Sequence, residues 1–139
     1  EIDPAPERSG VRATGIDIIS STERAPRVHE EIQDRYGDSL SILDFPSVTA
    51  VHAPNASKGN ALAQLADELG VSHTEVLAIG DSVNDVSMLR WAGHSAAPQH
   101  CDRYARGAAK RILPGAGVEG VVALLESLAG QPVAPGRPG

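Results

Sequence analysis

Apolar and polar positions follow two rhythms along this chain: short runs alternating every second residue, and longer stretches with apolar residues three and four apart. Residues 14–20 (TGIDIIS) form a short apolar run that predicts a strand. Ser21 or Thr22 then offers a helix N-cap, and Pro26 falls near a first helical position. Val28, Ile32 and Tyr36 recur at helical spacing until Gly37 supplies a stop. Leu40, Ile42 and Phe45 predict a second strand, and residues 47–53 (SVTAVHA) a third with Thr49, Val51 and Ala53 on one face. Only Pro46 and its neighbours separate those two strands, which points to a hairpin.

After Pro54 strands and helices alternate. Leu62, Leu65, Ala66 and Leu69 form a helical stripe closed by Gly70. Residues 76–79 (VLAI) predict a strand, Met88, Leu89 and Ala92 a short helix ending at Gly93, and residues 94–97 another strand. A helix over 102–109, a strand at 111–113 (RIL) and a terminal helix carrying Val118, Val121, Val122, Leu125 and Leu128 complete the pattern. Such alternation predicts an α/β fold built on a parallel sheet covered on both faces. The polar, proline-containing residues 1–13 read as a loose end, and the Gly- and Pro-rich residues 130–139 as a tail.

Composition narrows the function classes. The chain has 139 residues, enough for one domain, and a net charge of −6, which argues against a nucleic-acid binder working through a basic face. No run is long and apolar enough to predict a membrane span, and no secretory signal is visible. The single cysteine, Cys101, excludes an intrachain disulfide and fits a reducing cytoplasm.

The most informative segment is Gly80-Asp81-Ser82-Val83-Asn84-Asp85, which starts where an apolar strand ends. In open α/β sheets ligands bind at the carboxyl ends of strands. Gly80 lets the backbone turn sharply, and two carboxylates with an amide then crowd one turn, an arrangement that a cation would offset. Oxygen ligands favour Mg²⁺ over zinc or copper. A plain helix cap explains one such residue, but not four polar residues in six. Upstream, Lys58 stands in Asn55-Ala56-Ser57-Lys58-Gly59-Asn60, just ahead of a helix N-terminus. The macrodipole disfavours a cation there unless it faces an anion such as phosphate.

At these residues the chain resembles the haloacid dehalogenase superfamily, and within it the Cof-type phosphatases with a large α/β cap. The likeness rests on S-K-G-N-A-L (Ser57 to Leu62) followed by G-D-S-V-N-D-x-S-M-L (Gly80 to Leu89), and in element order it spans residues 48–128. The resemblance implies a Rossmann-like parallel sheet. Residues 55–129 would be the C-terminal half of its core, and residues 1–54 the remnant of the cap. It implies that Lys58 steadies a phosphate and a nucleophilic aspartate, and that Asp81 is a Mg²⁺ ligand supported by Asp85. Ser82 and Asn84 would shape the turn.

The family attacks phosphorus with an aspartate in a D-x-D motif, and no two aspartates here are separated by a single residue. Asp17 alone lies on a convincing strand, where its position suits the cap. The half of the family that holds the nucleophile is therefore expected to be missing. Another departure is Ala96-Ala97-Pro98-Gln99-His100-Cys101, where many Cof-type members carry small residues ending in Gly-Asn-Ala. Without its central neighbour, the 76–79 strand would present a free edge, and the Leu62/Leu65/Leu69 and Val121/Leu125/Leu128 faces would lack cover.

Two further motifs read as structural. Gly115, Gly117 and Gly120 fit G-x-G-x-x-G, but the acidic strand a dinucleotide needs does not follow. His94, His100 and Cys101 lack ligand spacing and read as surface histidines with a small buried thiol. The expected function is a Mg²⁺-dependent phosphohydrolase half acting on small phosphorylated metabolites resembling sugar phosphates. Its partner would be a complementing N-terminal half or a second copy. The alternatives are a non-catalytic interaction module and an enzyme that recruits Asp81 or Asp17 to a new task.

Overall fold

The computed structural model describes residues 14–130, so the loose end expected at 1–13 and all but Gly130 of the expected tail lie outside the described residues. The chain folds into two three-stranded sheets. The first contains β1 (Gly15–Ile19), β2 (Ser41–Phe45) and β3 (Val48–His52), with α1 (Ala25–Tyr36) between β1 and β2. Its order is β1-β3-β2, and both pairings are antiparallel. Only the β2–β3 hairpin was expected; β1 joins it antiparallel by pairing Gly15 to Ile19 against His52 to Val48. Thr49, Ala50 and Val51 on the middle strand are all buried, rather than one alternating face. The strand is covered because α1 packs against β2 and β3 while the turn after β4 approaches β2.

Helix α1 corrects a local expectation. Its N-cap is Arg24, in helical conformation and with no side-chain cap bond. Ser21 contributes its carbonyl instead, accepting from the N–H groups of Arg24 and Ala25 at 2.9 Å. A turn ahead of the helix thus supplies the acceptor, and Pro26 still sits in the first turn, where its missing N–H costs nothing.

The second sheet holds β4 (Leu77–Ile79), β5 (His94–Pro98) and β6 (Arg111–Leu113), parallel and in chain order. Preceding it is α2 (Lys58–Glu68). Helices α3 (Val86–Trp91) and α4 (Arg103–Ala108) make the two crossovers, and α5 (Glu119–Ala129) follows β6. The core is small-residue rich: Ala78, Leu89, Ala92 and Ala105 are buried together, with Leu62, Val76, Met88 and Trp91 packed around them. Alanines let the helices approach the sheet closely, and Leu89, fully buried, contributes about 2–3 kcal/mol.

The expected α2 stripe divides. Leu62 and Ala66 face the core, but Leu65 is 51% and Leu69 67% exposed. On α5, Val122, Leu125 and Leu128 are exposed as well. Among the described residues β4 is an edge strand, bonded only to β5.

Candidate active site

The site grows from the carboxyl end of β4. There Gly80 leaves the sheet with its N–H still donated to the Ala96 carbonyl at 3.2 Å. The next residues form a 3-10 turn over Val83–Asp85 that runs directly into α3. This turn folds Asp85 back over the strand end. Asp85 Oδ2 accepts from the backbone N–H of Asp81 at 2.9 Å and of Ser82 at 3.2 Å. A Cβ on residue 80 would lie 2.4 Å from Asp85 Cβ and 2.6 Å from its Cγ, so only glycine permits this approach.

Lys58, the first residue of α2, closes the arrangement from the other side. Its Nζ donates to Asp85 Oδ1 at 2.5 Å, with Lys58 half exposed and Asp85 only 4% exposed. Burial pushes the Asp85 carboxyl up; Lys58 and the two backbone N–H groups outweigh it and hold the group below the ordinary carboxylate value. Asp85 is therefore an anion that orients others. Both its oxygens are engaged, whereas the Asp81 carboxylate is exposed at the rim of the turn.

Lys58 keeps its place because α2 is capped and wedged. Ser57 Oγ accepts from the Asn60 N–H at 3.1 Å, and the N–H of Gly59 donates to Ser87 Oγ at 2.9 Å. A Cβ at residue 59 would fall 2.6 Å from the Ser87 carbonyl, so the starts of α2 and α3 meet across bare glycine backbone. Neither Gly59 nor Ser87 had an assigned role in the sequence, although both lie inside the two motifs. Asp102 was also missed as a site support: its N–H donates to the Asp81 carbonyl at 2.8 Å, while its side chain caps α4. In the turn itself Ser82 Oγ donates to Asn84 Oδ1 at 2.6 Å.

Two spaces meet at Lys58. A groove of about 370 Å³ contains Asp81, Asp85, His100 and Val118, and a larger cavity of about 600 Å³ lies between α2, α3 and the first sheet. Among the described residues no three His, Cys, Asp or Glu side chains converge into a complete metal cage. Mg²⁺ commonly takes one or two carboxylates and retains waters, so a free Asp81 carboxylate with Asp85 behind it suits that ion in donor chemistry.

The remaining candidates do not join this centre as a metal set. His94 opens β5 and His100 follows its far end, so one ion cannot reach both. Cys101 is half-buried and packs against the core rather than being fully enclosed. At the glycine-rich turn the Gly117 N–H is taken by Glu119 Oε2 at 2.8 Å, which leaves no open phosphate cradle there.

With this geometry in place, comparison with known proteins is decisive. A family model described as haloacid dehalogenase-like hydrolase matches residues 3–125. The chain belongs to this family. A phosphoglycolate phosphatase of Halorubrum lacusprofundi is 34% identical over 112 residues, 81% of this chain and 49% of that protein. YxeH of Bacillus subtilis is 55% identical over 66 residues, 48% of this chain and 23% of YxeH. Among solved structures, a HAD/COF-like hydrolase from Plasmodium vivax superposes with a TM-score of 0.77 at 24% identity, over 88% of this chain and 44% of the other. A haloacid dehalogenase-like hydrolase from B. subtilis gives 0.71 at 24% identity, over 88% and 44%. These superpositions establish the fold, a HAD-like α/β arrangement. The chain spans about half the length of these relatives or less.

Proposed function

We propose that the chain is the C-terminal part of a Mg²⁺-dependent phosphohydrolase of the HAD-like family, acting on small phosphorylated metabolites. Residues 14–54 would be part of the cap and residues 55–129 the second half of the core. The observation that carries this reading is the Lys58–Asp85 pair at 2.5 Å, anchored from below by the Asp81 and Ser82 N–H groups while the Asp81 carboxylate stays free. Such a grip holds an ammonium at a fixed point beside the strand end, where it balances charge on a phosphate.

In this mechanism Lys58 binds and orients the phosphate, and Asp85 fixes Lys58 and the loop. Asp81 would hold Mg²⁺, which when bound offsets negative charge on the phosphoryl oxygens. Ser82 and Asn84 keep the turn in shape through their mutual hydrogen bond. A D-x-D pair would have to come from outside these 139 residues, because the sequence has none.

The test is complementation. The chain mixed with a polypeptide carrying the D-x-D strands of a HAD-like relative should hydrolyse p-nitrophenyl phosphate with Mg²⁺. Lys58→Ala should cut the rate by about 10²-fold or more, and Asp81→Asn should abolish the metal dependence. Robust turnover by the chain alone, indifferent to Asp81→Asn, would overturn the assignment. The exposed Leu65, Leu69, Leu125 and Leu128 favour a second reading, an interaction module that uses these faces without catalysis. A monomer with a sharp reversible melt that gains no activity on complementation would establish that reading.

A further inference from the structure

The groove at the strand ends holds one polar group that the phosphate mechanism leaves unused. Its charged and polar side chains are Lys58, Asp81, Asp85 and His100. Lys58 and Asp85 engage each other at 2.5 Å, and Asp85 spends its second oxygen on two backbone N–H groups. Subtracting that pair leaves one carboxylate and one imidazole lining the same space, Asp81 and His100, both exposed. His100 also stands in the segment where this chain departs from the Gly-Asn-Ala ending of many Cof-type members, so its imidazole is a feature of this chain.

The backbone holds these two residues in a fixed relation. The Cys101 N–H donates to the Pro98 carbonyl at 3.1 Å, which closes a tight turn with Gln99 and His100 at its tip. Arg106 donates to the Gln99 carbonyl at 2.5 Å and so pins this turn to α4. Beyond the tip, the Asp102 N–H donates to the Asp81 carbonyl at 2.8 Å, while the Asp102 side chain accepts from the Ala105 N–H at 2.7 Å. The turn after β5 is thus bonded to the turn after β4 close to the imidazole, and at the very residue that carries the free carboxylate. His94 opens β5 and cannot share an ion with His100, which leaves Asp81 as its partner in the groove.

We propose that His100 is a second ligand to the divalent cation held by Asp81, so that the site favours later first-row metals such as Co²⁺, Ni²⁺ and Zn²⁺ over Mg²⁺. The inference rests on the phosphatase reading in one respect, that Asp81 is the metal carboxylate. Mg²⁺ is a hard ion that binds oxygen and gains little from a ring nitrogen, whereas neutral imidazole suits the later metals. The Lys58 ammonium is balanced by Asp85 within their own pair, so it adds little repulsion against a cation at the rim. One carboxylate and one imidazole leave the remaining coordination positions to water and phosphate oxygens.

The experiment titrates the full chain with Mg²⁺, Mn²⁺ and Co²⁺ at one neutral pH by calorimetry. Co²⁺ is also followed by its absorption spectrum and by paramagnetically shifted imidazole N–H resonances. The expected result is Co²⁺ binding about tenfold or more tightly than Mg²⁺. His100→Asn should weaken Co²⁺ about tenfold, remove the shifted imidazole resonance and leave the Mg²⁺ affinity within a factor of about two. His94→Asn, at the opposite end of β5, is the control and should change neither. Asp81→Asn should weaken all three cations. Co²⁺ binding indifferent to His100→Asn overturns the ligand role, and so does an equal loss of Co²⁺ and Mg²⁺, which would make His100 a prop for the turn. In either case Mg²⁺ binding that depends on Asp81 preserves the phosphatase reading. Failure of all three cations to bind overturns both.

Discussion

In the parallel sheet every connection crosses over through a helix, so the strands end on the same side; in the antiparallel sheet neighbouring strands end on opposite sides. This difference decides where chemistry can gather. The turns after β4, β5 and β6 bring Asp81, His100 and Val118 to one groove, although they are far apart in sequence. The first sheet has no such convergence and contributes a wall, through Ser41, Leu43 and His52. Reactive groups need loops that meet, whereas a recognition wall needs only a face. Under the proposed function the two sheets would divide the labour of one site, with Lys58 at the point where the chain passes from one to the other.

The comparison breaks most severely at Gly80. An alanine there places its Cβ 2.4 Å from Asp85 Cβ, a short buried side chain that has nowhere to swing. Either the 3-10 turn lifts away or the strand end shifts, and overpacking of this kind costs about 3 kcal/mol. Gly80→Ala should lower the urea midpoint and also abolish Mn²⁺-induced NMR broadening around Asp81. Intact broadening with only a stability loss would show that the turn holds its shape without Asp85.

Asp85→Asn is the next largest perturbation, because an amide cannot accept from Lys58 and from two N–H groups equally well. The expected loss is about 2 kcal/mol at neutral pH. The sign of its pH dependence follows from the lowered folded pKa. The unfolded chain binds the proton more readily, so the Asp85 contribution is complete above about pH 4 and disappears as the pH falls through the folded value. Parent and variant should therefore converge in stability toward pH 2 and diverge toward pH 6 in denaturant titrations. A constant difference across that range would mean that the carboxylate charge contributes nothing.

How far the sequence disclosed these two regions depends on how local the information was. The Gly80 to Asp85 turn was legible because its residue types are dictated by neighbours within six positions, where a sharp exit, two acids and an amide leave few structural alternatives. Lys58 stood out because a cation at a helix start calls for a facing anion, and the fold supplies one in the Asp85 carboxylate. The antiparallel docking of β1 was not, since Gly15 to Ile19 carries no mark of its partner, and the register with His52 to Val48 is set across an intervening helix. The exposure of Leu65 and Leu69 likewise escaped the periodicity, which reports that a face is apolar and is silent on whether anything covers it. The cavity between the first sheet and the α2–α3 pair was the least visible feature, because its walls come from segments far apart in the sequence that meet only after folding.

The mildest intervention tests whether the two sheets must be held together at all. Tyr104 on α4 donates its hydroxyl to Asp44 Oδ2 on β2 at 2.8 Å, and Arg103 donates to the Tyr104 oxygen at 2.6 Å while lying over its ring. This small network ties the wall to the parallel sheet at the edge of the cavity, which Tyr104 also lines. Tyr104→Phe keeps the ring and its contact with Arg103 but removes the hydroxyl bridge to Asp44, which leaves the 3.6 Å Arg103–Asp44 ion pair as the remaining tie. The stability cost should be about 1 kcal/mol, since Asp44 is accessible to solvent that replaces the lost donor. Amide exchange should separate local from shared effects: β2 and β3 protection should fall in the variant, while that of β4 and β5 stays at the parent level. A uniform fall across both sheets would show that they unfold as one unit, and that the division between wall and reactive end is one of geometry and not of stability.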